Sequence, residues 1–309
     1  MTLLSINWNP NDTLIQLGPL PIKYYSLMFV ISFLVGLQIM KKIFEKENID
    51  LEKLDTLFIY AVVSILLGAR LGHVFFYDWD YYQNHLLEII LPFRLDPFKF
   101  TGIAGLASHG AAIGVIVAMY FYHKKYPTIK IGWILDRIVI PVAFGAIFVR
   151  LGNLMNSEII GKVTNSNYGF KFIRQFYRPY EAVQATGIND VNKAYHAIAN
   201  NPKFTSLLEA VPIRHPAQLY ESICYIFVFA ILYFTYWKTN KKDKPFYIFG
   251  LFLVLLWTVR FFVEFYKKSQ GGFEDSLGSI AQLSTGQWLS IPFIIIGLYC
   301  MFRPYKKTV

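Results

Sequence analysis

The chain has 309 residues, of which 55% are apolar, 18% aromatic and only 16% charged. A soluble protein carries about a quarter charged residues, so this composition argues against a soluble enzyme and for a membrane protein. The net charge of +10 comes from lysines grouped in short loops between apolar runs, where they set topology and attract anionic lipid, so no nucleic-acid partner is implied.

Residues 1–21 are polar to mixed, with Asp12 and no lysine or arginine, and lack the basic start and cleavage site of a signal peptide. Apolar runs then recur at about 22–43, 56–77, 102–122, 132–151, 217–237, 246–266 and 287–302. Each is near the roughly 20 residues that cross a bilayer. Pro141 and Pro292 fall inside runs, which neighbouring helices make tolerable.

Short loops give the topology. Lys41, Lys42, Lys46 and Lys53 follow the first run, Lys124, Lys125 and Lys130 the third, Lys238, Lys241, Lys242 and Lys244 the fifth, and Arg303, Lys306 and Lys307 the seventh. All fall on one side of the membrane, which is therefore cytoplasmic. The expected fold is an all-α polytopic membrane protein of about seven transmembrane helices, with its N-terminus outside and its C-terminus cytoplasmic. It forms a single integral membrane domain, 1–309. A small mixed extracytoplasmic head, 157–214, is inserted between the fourth and fifth helices, and Phe170, Phe172, Phe176, Tyr177 and Tyr180 are expected to give it a core. No internal repeat or inverted half of the transporter kind is present.

A charge at mid-bilayer costs about 2.5–3.5 kcal/mol on translocon scales, so each ionisable residue inside a run needs a reason. The densest polar stretch, Arg150 to Gly161, closes the fourth run. Asn153 and Asn156 are spaced to share a helical face. Arg260 and Glu264 share a face of the sixth run, either as a pair that snorkels outward or as an arginine held by its glutamate and aimed at an anion. His109 sits in a run of small residues, Gly102 to Gly114, which means close helix packing or room for a bulky ligand. Arg70 and His73 lie on the second run, and Tyr24 and Tyr25 open the first as an aromatic belt. Asp136 and Arg137, at the inner end of the fourth run, read as a bland pair. Pro216 and Glu221 lead into the fifth.

Under the topology above, Tyr25, Arg70, His109, Arg150, Glu221, Arg260 and Glu264 all lie in the outer half of the bilayer. That common depth predicts a cationic cavity open to the outer leaflet, and the natural anion there is a phospholipid headgroup. Cys224 and Cys300 lie inside apolar runs with no ligand-like spacing and read as small buried hydrophobes. No metal and no organic cofactor is suggested.

The stretch Arg150-Leu151-Gly152-Asn153-Leu154-Met155-Asn156-Ser157-Glu158-Ile159-Ile160-Gly161 resembles the signature R-x-G-N-F-x-N-x-E-x-x-G of the bacterial phosphatidylglycerol–prolipoprotein diacylglyceryl transferases. His215-Pro216-Ala217-Gln218-Leu219-Tyr220-Glu221 resembles their H-P-x-Q-L-Y-E. Weaker likenesses follow in the same order: Tyr24 to Met28, Gly68 to Gly72, Ser108 to Gly110, Arg260 to Phe265 and Gly286 to Pro292. Val149 and Leu154 depart from the signature, Ser26 replaces a glycine, and Lys267 stands where an arginine is common.

The resemblance implies a transferase of the bacterial cytoplasmic membrane, multi-pass, with its active site toward the outer leaflet. It would move the diacylglyceryl group of phosphatidylglycerol to the lipobox cysteine thiol of a preprolipoprotein signal peptide, forming a thioether and releasing glycerol phosphate. Membrane lipid is then both substrate and solvent. On this reading Arg150 and Arg260 bind the phosphate, since guanidinium forks match its oxygens and stay charged. Asn153 and Asn156 bond the glycerol headgroup or hold Arg150. Glu158 and Glu264 orient the arginines, Tyr25 orients the lipid, and Arg70 joins the substrate-binding set. His109 is the candidate general base, because histidine titrates near neutral pH. A lipid transporter or scramblase with the same cationic cavity is the competing reading.

Overall fold

The computed structural model describes residues 5–18, 20–91, 93–94, 98–100, 105–166, 168–268 and 283–305. In chain order the strands used below are β1 (Ile6–Trp8), β2 (Thr13–Leu17), β3 (Leu20–Lys23), β4 (Phe170–Phe172) and β5 (Ile213–Arg214). The helices are α1 (Tyr24–Lys46), α2 (Leu51–Phe76), α3 (Ser108–Lys125), α4 (Ile131–Met155), α5 (Pro179–Thr186), α6 (Val191–Asn200), α7 (Ala217–Lys238), α8 (Tyr247–Val263) and α9 (Thr285–Phe302).

Each apolar run of the sequence contains one of these helices. Among the described residues, α1, α2, α4, α7 and α9 are long and apolar enough to cross a membrane. Helix α8 is apolar but has 17 residues. Helix α3 is diluted by Ser108 and His109 at its start and by Lys124 and Lys125 at its end. It also starts later than expected. Gly102, Ile103 and Ala104, the predicted first residues of the third run, lie outside the described residues. Gly105 then adopts φ +74°, a left-handed conformation that a helix cannot propagate through. His109 is therefore in the first turn of α3, not two turns inside a span. Lys306, Lys307 and residues 269–282 also lie outside the described residues.

The chain packs as two compact units, residues 37–137 and residues 1–36 with 138–309. In the first, α2 and α3 meet through glycines. A Cβ on Gly68 would sit 2.5 Å from the Gly110 carbonyl oxygen, and one on Gly72 would sit 2.6 Å from the Gly110 Cα. Close packing is thus what the small-residue run provides, backbone against backbone. Beside the contact runs an apolar groove of about 830 Å³, walled by Tyr60, Leu67, Phe75, Ile113 and Phe121. At the other end of the unit Arg137 does more than face Asp136: it donates to Glu47 at 3.0 Å, and Trp133 Nε1 donates to the same carboxylate at 2.5 Å. Arg137 and Asp136 are buried there, and a buried charge needs such partners.

The second unit corrects the all-α expectation. It carries a three-stranded sheet ordered β1-β4-β5, in which β1 runs parallel to β4 with Ile6 opposite Phe170, and β5 runs antiparallel to β4 with Arg214 opposite Phe170. Strands β2 and β3 form a separate hairpin. The protein is therefore mostly helical with a small sheet. Two clusters fill the head. Phe170 and Phe172 pack with Leu154, Ile160 and Trp8, while Ile173, Ala182, Ala194, Tyr195, Ile198 and Val211 form the other around α5 and α6. Tyr177 borders this second cluster, but Phe176 and Tyr180, expected in the core, are 41% and 60% exposed.

Candidate active site

Helix α4 carries Arg150 and Asn153 and then stops. Ser157 at φ +55° turns the chain, and Asn156 N–H donates to the Gly152 carbonyl at 3.0 Å while Glu158 N–H donates to the Asn153 carbonyl at 2.9 Å. This left-handed cap satisfies the last carbonyls of the helix. Asn156 is the cap residue, and its N–H still makes the helical bond to Gly152, so it keeps its one-turn spacing from Asn153. Trp8 Nε1 on β1 donates to the Leu154 carbonyl at 2.9 Å, so the N-terminal strand closes the same helix end.

The signature glycines are places of close approach. A Cβ on Gly152 would lie 2.6 Å from Tyr25 Cδ2. Gly161 N–H donates to the His215 carbonyl at 2.9 Å, and Gly161 is bridged to Lys267. Three chain segments thereby converge at Gly161.

The polar side chains form a connected network. Arg150 Nε is 2.6 Å from Glu221 Oε2, and both side chains are buried. Arg150 Nη1 donates to Asn153 Oδ1 at 3.2 Å, and the Tyr25 ring packs beside them against Gly152. Asn153 and Asn156 each donate to the Glu158 carboxylate, at 3.4 and 3.2 Å. Gln218 Nε2 donates to the Glu158 backbone carbonyl. The expected role of Glu158 as an orienter of Arg150 is thus indirect, through Asn153; the direct carboxylate partner is Glu221.

Arg260 differs. Its guanidinium lies 5.1 Å over the Trp257 ring, which stacks on Phe293 at 4.2 Å. Its Nε is buried without a hydrogen-bond partner among the described residues, as are Asn156 Oδ1 and Gln218 Oε1. Glu264 does not pair with Arg260. Its Oε2 is 3.4 Å from Lys267 Nζ, and its carboxylate rests against Gly286 in the first turn of α9. Lys267 is buried, which pushes its ammonium below the ordinary lysine value, opposed by Glu264 and Glu221. Tyr225 is buried on α7 within electrostatic reach of both Arg150 and Arg260, so α7 supplies a wall common to the two arginines.

Arg70, His73 and His109 belong to the 37–137 unit. Arg70 is buried and spends its donors on the chain after α2: Nε on the Ile89 carbonyl at 2.8 Å, Nη2 on the Glu88 carbonyl at 2.6 Å and on the Tyr82 hydroxyl at 3.1 Å. It braces residues 82–89. His73 Nε2 is 2.8 Å from Asp78 Oδ2. His109 is exposed, its ring packs on Phe76 and Tyr77, and it makes no hydrogen bond among the described residues.

Sequence reasoning named Glu221, Gln218 and Lys267 only as parts of motifs and gave them no role, and passed over Tyr225 and Trp8. The signal on α7 was present: Gln218, Glu221, Ser222 and Tyr225 recur at helical spacing inside an apolar run, and all four are buried. Lys267 and Trp8 reach the site through the tertiary fold and leave no local pattern.

Apolar helices of crossing length, with a cluster of arginines, asparagines and glutamates at their ends, are those of a polytopic membrane protein. The sequence matches the family model described as prolipoprotein diacylglyceryl transferase over residues 12–303, and the chain belongs to that family. It is 41% identical over 310 residues to the phosphatidylglycerol–prolipoprotein diacylglyceryl transferase of Bacteroides fragilis, covering 99% of this chain and 97% of the relative. Proteins of the same name from Chloroherpeton thalassium and Tolumonas auensis are 37% and 34% identical, covering 98% and 97% of this chain and 96% and 98% of those relatives.

Proposed function

We propose that this protein transfers the diacylglyceryl group of phosphatidylglycerol to the lipobox cysteine thiol of preprolipoproteins. The observation that carries the site assignment is the buried Nε of Arg260, which has no hydrogen-bond partner among the described residues. A buried N–H of a cation without a hydrogen-bond partner is costly, so the position suits an anion that arrives with the substrate. Arg150, neutralised by Glu221, lies across the face of α7 that both arginines share.

The chemistry follows from the charges. The thiol loses its proton and its sulfur attacks the glyceryl carbon bonded to the phosphate oxygen. That C–O bond breaks as the thioether forms, and glycerol phosphate leaves with an added negative charge. Arg260 and Arg150 meet this charge where it develops, which is the preorganised stabilisation that lowers such barriers. Asn156 Oδ1 and Gln218 Oε1 are acceptors without partners among the described residues and suit the hydroxyls of the glycerol headgroup. Asn153 and Glu158 hold Arg150 and Asn156 in place, and Tyr25 packs beside them against Gly152. His109 is the proposed proton acceptor for the thiol, on its resemblance to the family's histidine and its exposed position.

The lysine-rich loops support seven crossings with the N-terminus outside, and therefore a head and an arginine cluster at the outer leaflet of the bacterial cytoplasmic membrane. The relatives, named for diacylglyceryl transfer, favour chemistry over lipid movement. The test is mass spectrometry of a lipobox peptide incubated with purified protein and phosphatidylglycerol. A diacylglyceryl mass gain that disappears in Arg260→Gln is expected; an undiminished gain in Arg260→Gln sinks the site assignment.

A further inference from the structure

On helical spacing alone, Glu264 should neutralise Arg260. The two are one turn apart, on α8 and at its C-terminal cap, and such pairs attract. A glutamate on Arg260 would compete with the substrate phosphate for the guanidinium. The structure shows the opposite arrangement, and two features produce it. Lys267 Nζ faces Glu264 Oε2 at 3.4 Å from the turn that follows α8. Gly286 leaves room for the carboxylate in the first turn of α9: a Cβ there would lie 2.6 Å from Glu264 Cδ and 2.7 Å from Oε2. The N-terminal turn of a helix also favours an anion. Glu264 is thus engaged by Lys267 and makes no ion pair with Arg260, and the Arg260 Nε is left without a partner among the described residues.

We propose that Lys267 is a positioning residue: together with the first turn of α9 it occupies Glu264 and so keeps Arg260 available to the lipid phosphate. The proposal rests on the reading of Arg260 as a phosphate ligand. Lys267 is itself 7% exposed and anchored by the bridge to Gly161, so its ammonium has a fixed place. The charged groups around it are Glu264 and Arg260 from α8, Glu221 from α7 and Arg150 from α4. Burial lowers its affinity for a proton, and the two glutamates act against that. As pH rises through the lowered value Lys267 loses its charge, Glu264 is released toward Arg260, and lipid affinity falls. An arginine at 267 holds its proton throughout this range.

The experiment measures KM for phosphatidylglycerol and kcat with the purified full-length protein in mixed micelles, at several pH values. Lys267→Met is expected to raise KM about tenfold with kcat within about threefold, the pattern of lost substrate binding. Adding Glu264→Gln to Lys267→Met removes the competitor and recovers most of that loss. Lys267→Arg keeps most of the affinity that Lys267→Met loses and moves the alkaline rise in KM to higher pH. A double variant as weak as Lys267→Met, or an alkaline rise untouched by Lys267→Arg, overturns the proposal. Should Lys267→Met not accumulate as folded protein, the pH comparison of Lys267→Arg with the unmodified protein decides alone. Arg260→Gln is the control for the underlying reading. An unchanged KM there removes Arg260 from the phosphate site, whereas a raised KM with no recovery in the double variant removes only the role of Lys267.

Discussion

Arg150 Nε and Glu221 Oε2 stand 2.6 Å apart, with the two side chains 12% and 2% exposed. One comes from the end of α4 and the other from the start of α7, so a single ion pair joins two helices at the level of the signature stretch. Breaking a buried pair from one side leaves an uncompensated charge, which costs about 3–5 kcal/mol. Glu221→Gln is therefore expected to lower stability by about 3 kcal/mol and to weaken activity as Arg150 moves. Denaturant unfolding in detergent, read beside the lipidation assay, checks both. A variant with unaltered stability would show that Arg150 is compensated by something other than Glu221.

Gly152 offers a sharper probe of Tyr25. Any Cβ at this position meets the ring, at 2.6 Å from Cδ2. Forcing an extra carbon into a packed contact costs about 1–3 kcal/mol. In Gly152→Ala the ring of Tyr25 must shift away from the end of α4. The expected result is a raised KM for phosphatidylglycerol with a modest loss of stability. An alanine variant with unchanged lipid affinity would remove Tyr25 from the lipid site.

Trp8 tests whether the N-terminal strand matters to the helix end it closes. Its indole donates to the Leu154 carbonyl at 2.9 Å and its ring packs on Phe170 at 5.2 Å. Phenylalanine at this position retains packing and loses the donor, so Trp8→Phe should cost about 1 kcal/mol. Activity should fall less than tenfold, about the scale of that energy. Thermal unfolding of the two proteins under one detergent condition measures the difference, and equal midpoints would rule out a stabilising role for the bond.

These residues also show where the sequence could be read and where it could not. The apolar runs were legible because a bilayer demands long uninterrupted stretches, and the polar stretch from Arg150 to Gly161 was legible because charge there is costly. The sheet was not, since β1 has three residues and β5 has two, too few for any period to appear. Its parallel pairing of residues 6–8 with residues 170–172 joins segments far apart in the chain. Helical spacing offered Glu264 to Arg260, but it is blind to a lysine just beyond the helix end and to a glycine on α9. Gly105 misled the boundary of the third run because a left-handed glycine inside an apolar segment looks like one more small residue.

His109 is the residue on which sequence and structure now put different weight. Two turns inside a span it would have been a packed histidine; in the first turn of α3 it is exposed, with Phe76 and Tyr77 as its ring contacts. Substitution of an exposed side chain that carries no hydrogen bond among the described residues changes stability by less than about 0.5 kcal/mol. Loss of a general base lowers the chemical step by about 10²–10⁴-fold. His109→Gln therefore separates the two accounts: the expected protein melts like its parent but transfers the diacylglyceryl group at least about a hundredfold more slowly in single-turnover assays. A normal single-turnover rate would take the proton to another acceptor and leave His109 as a surface residue of α3.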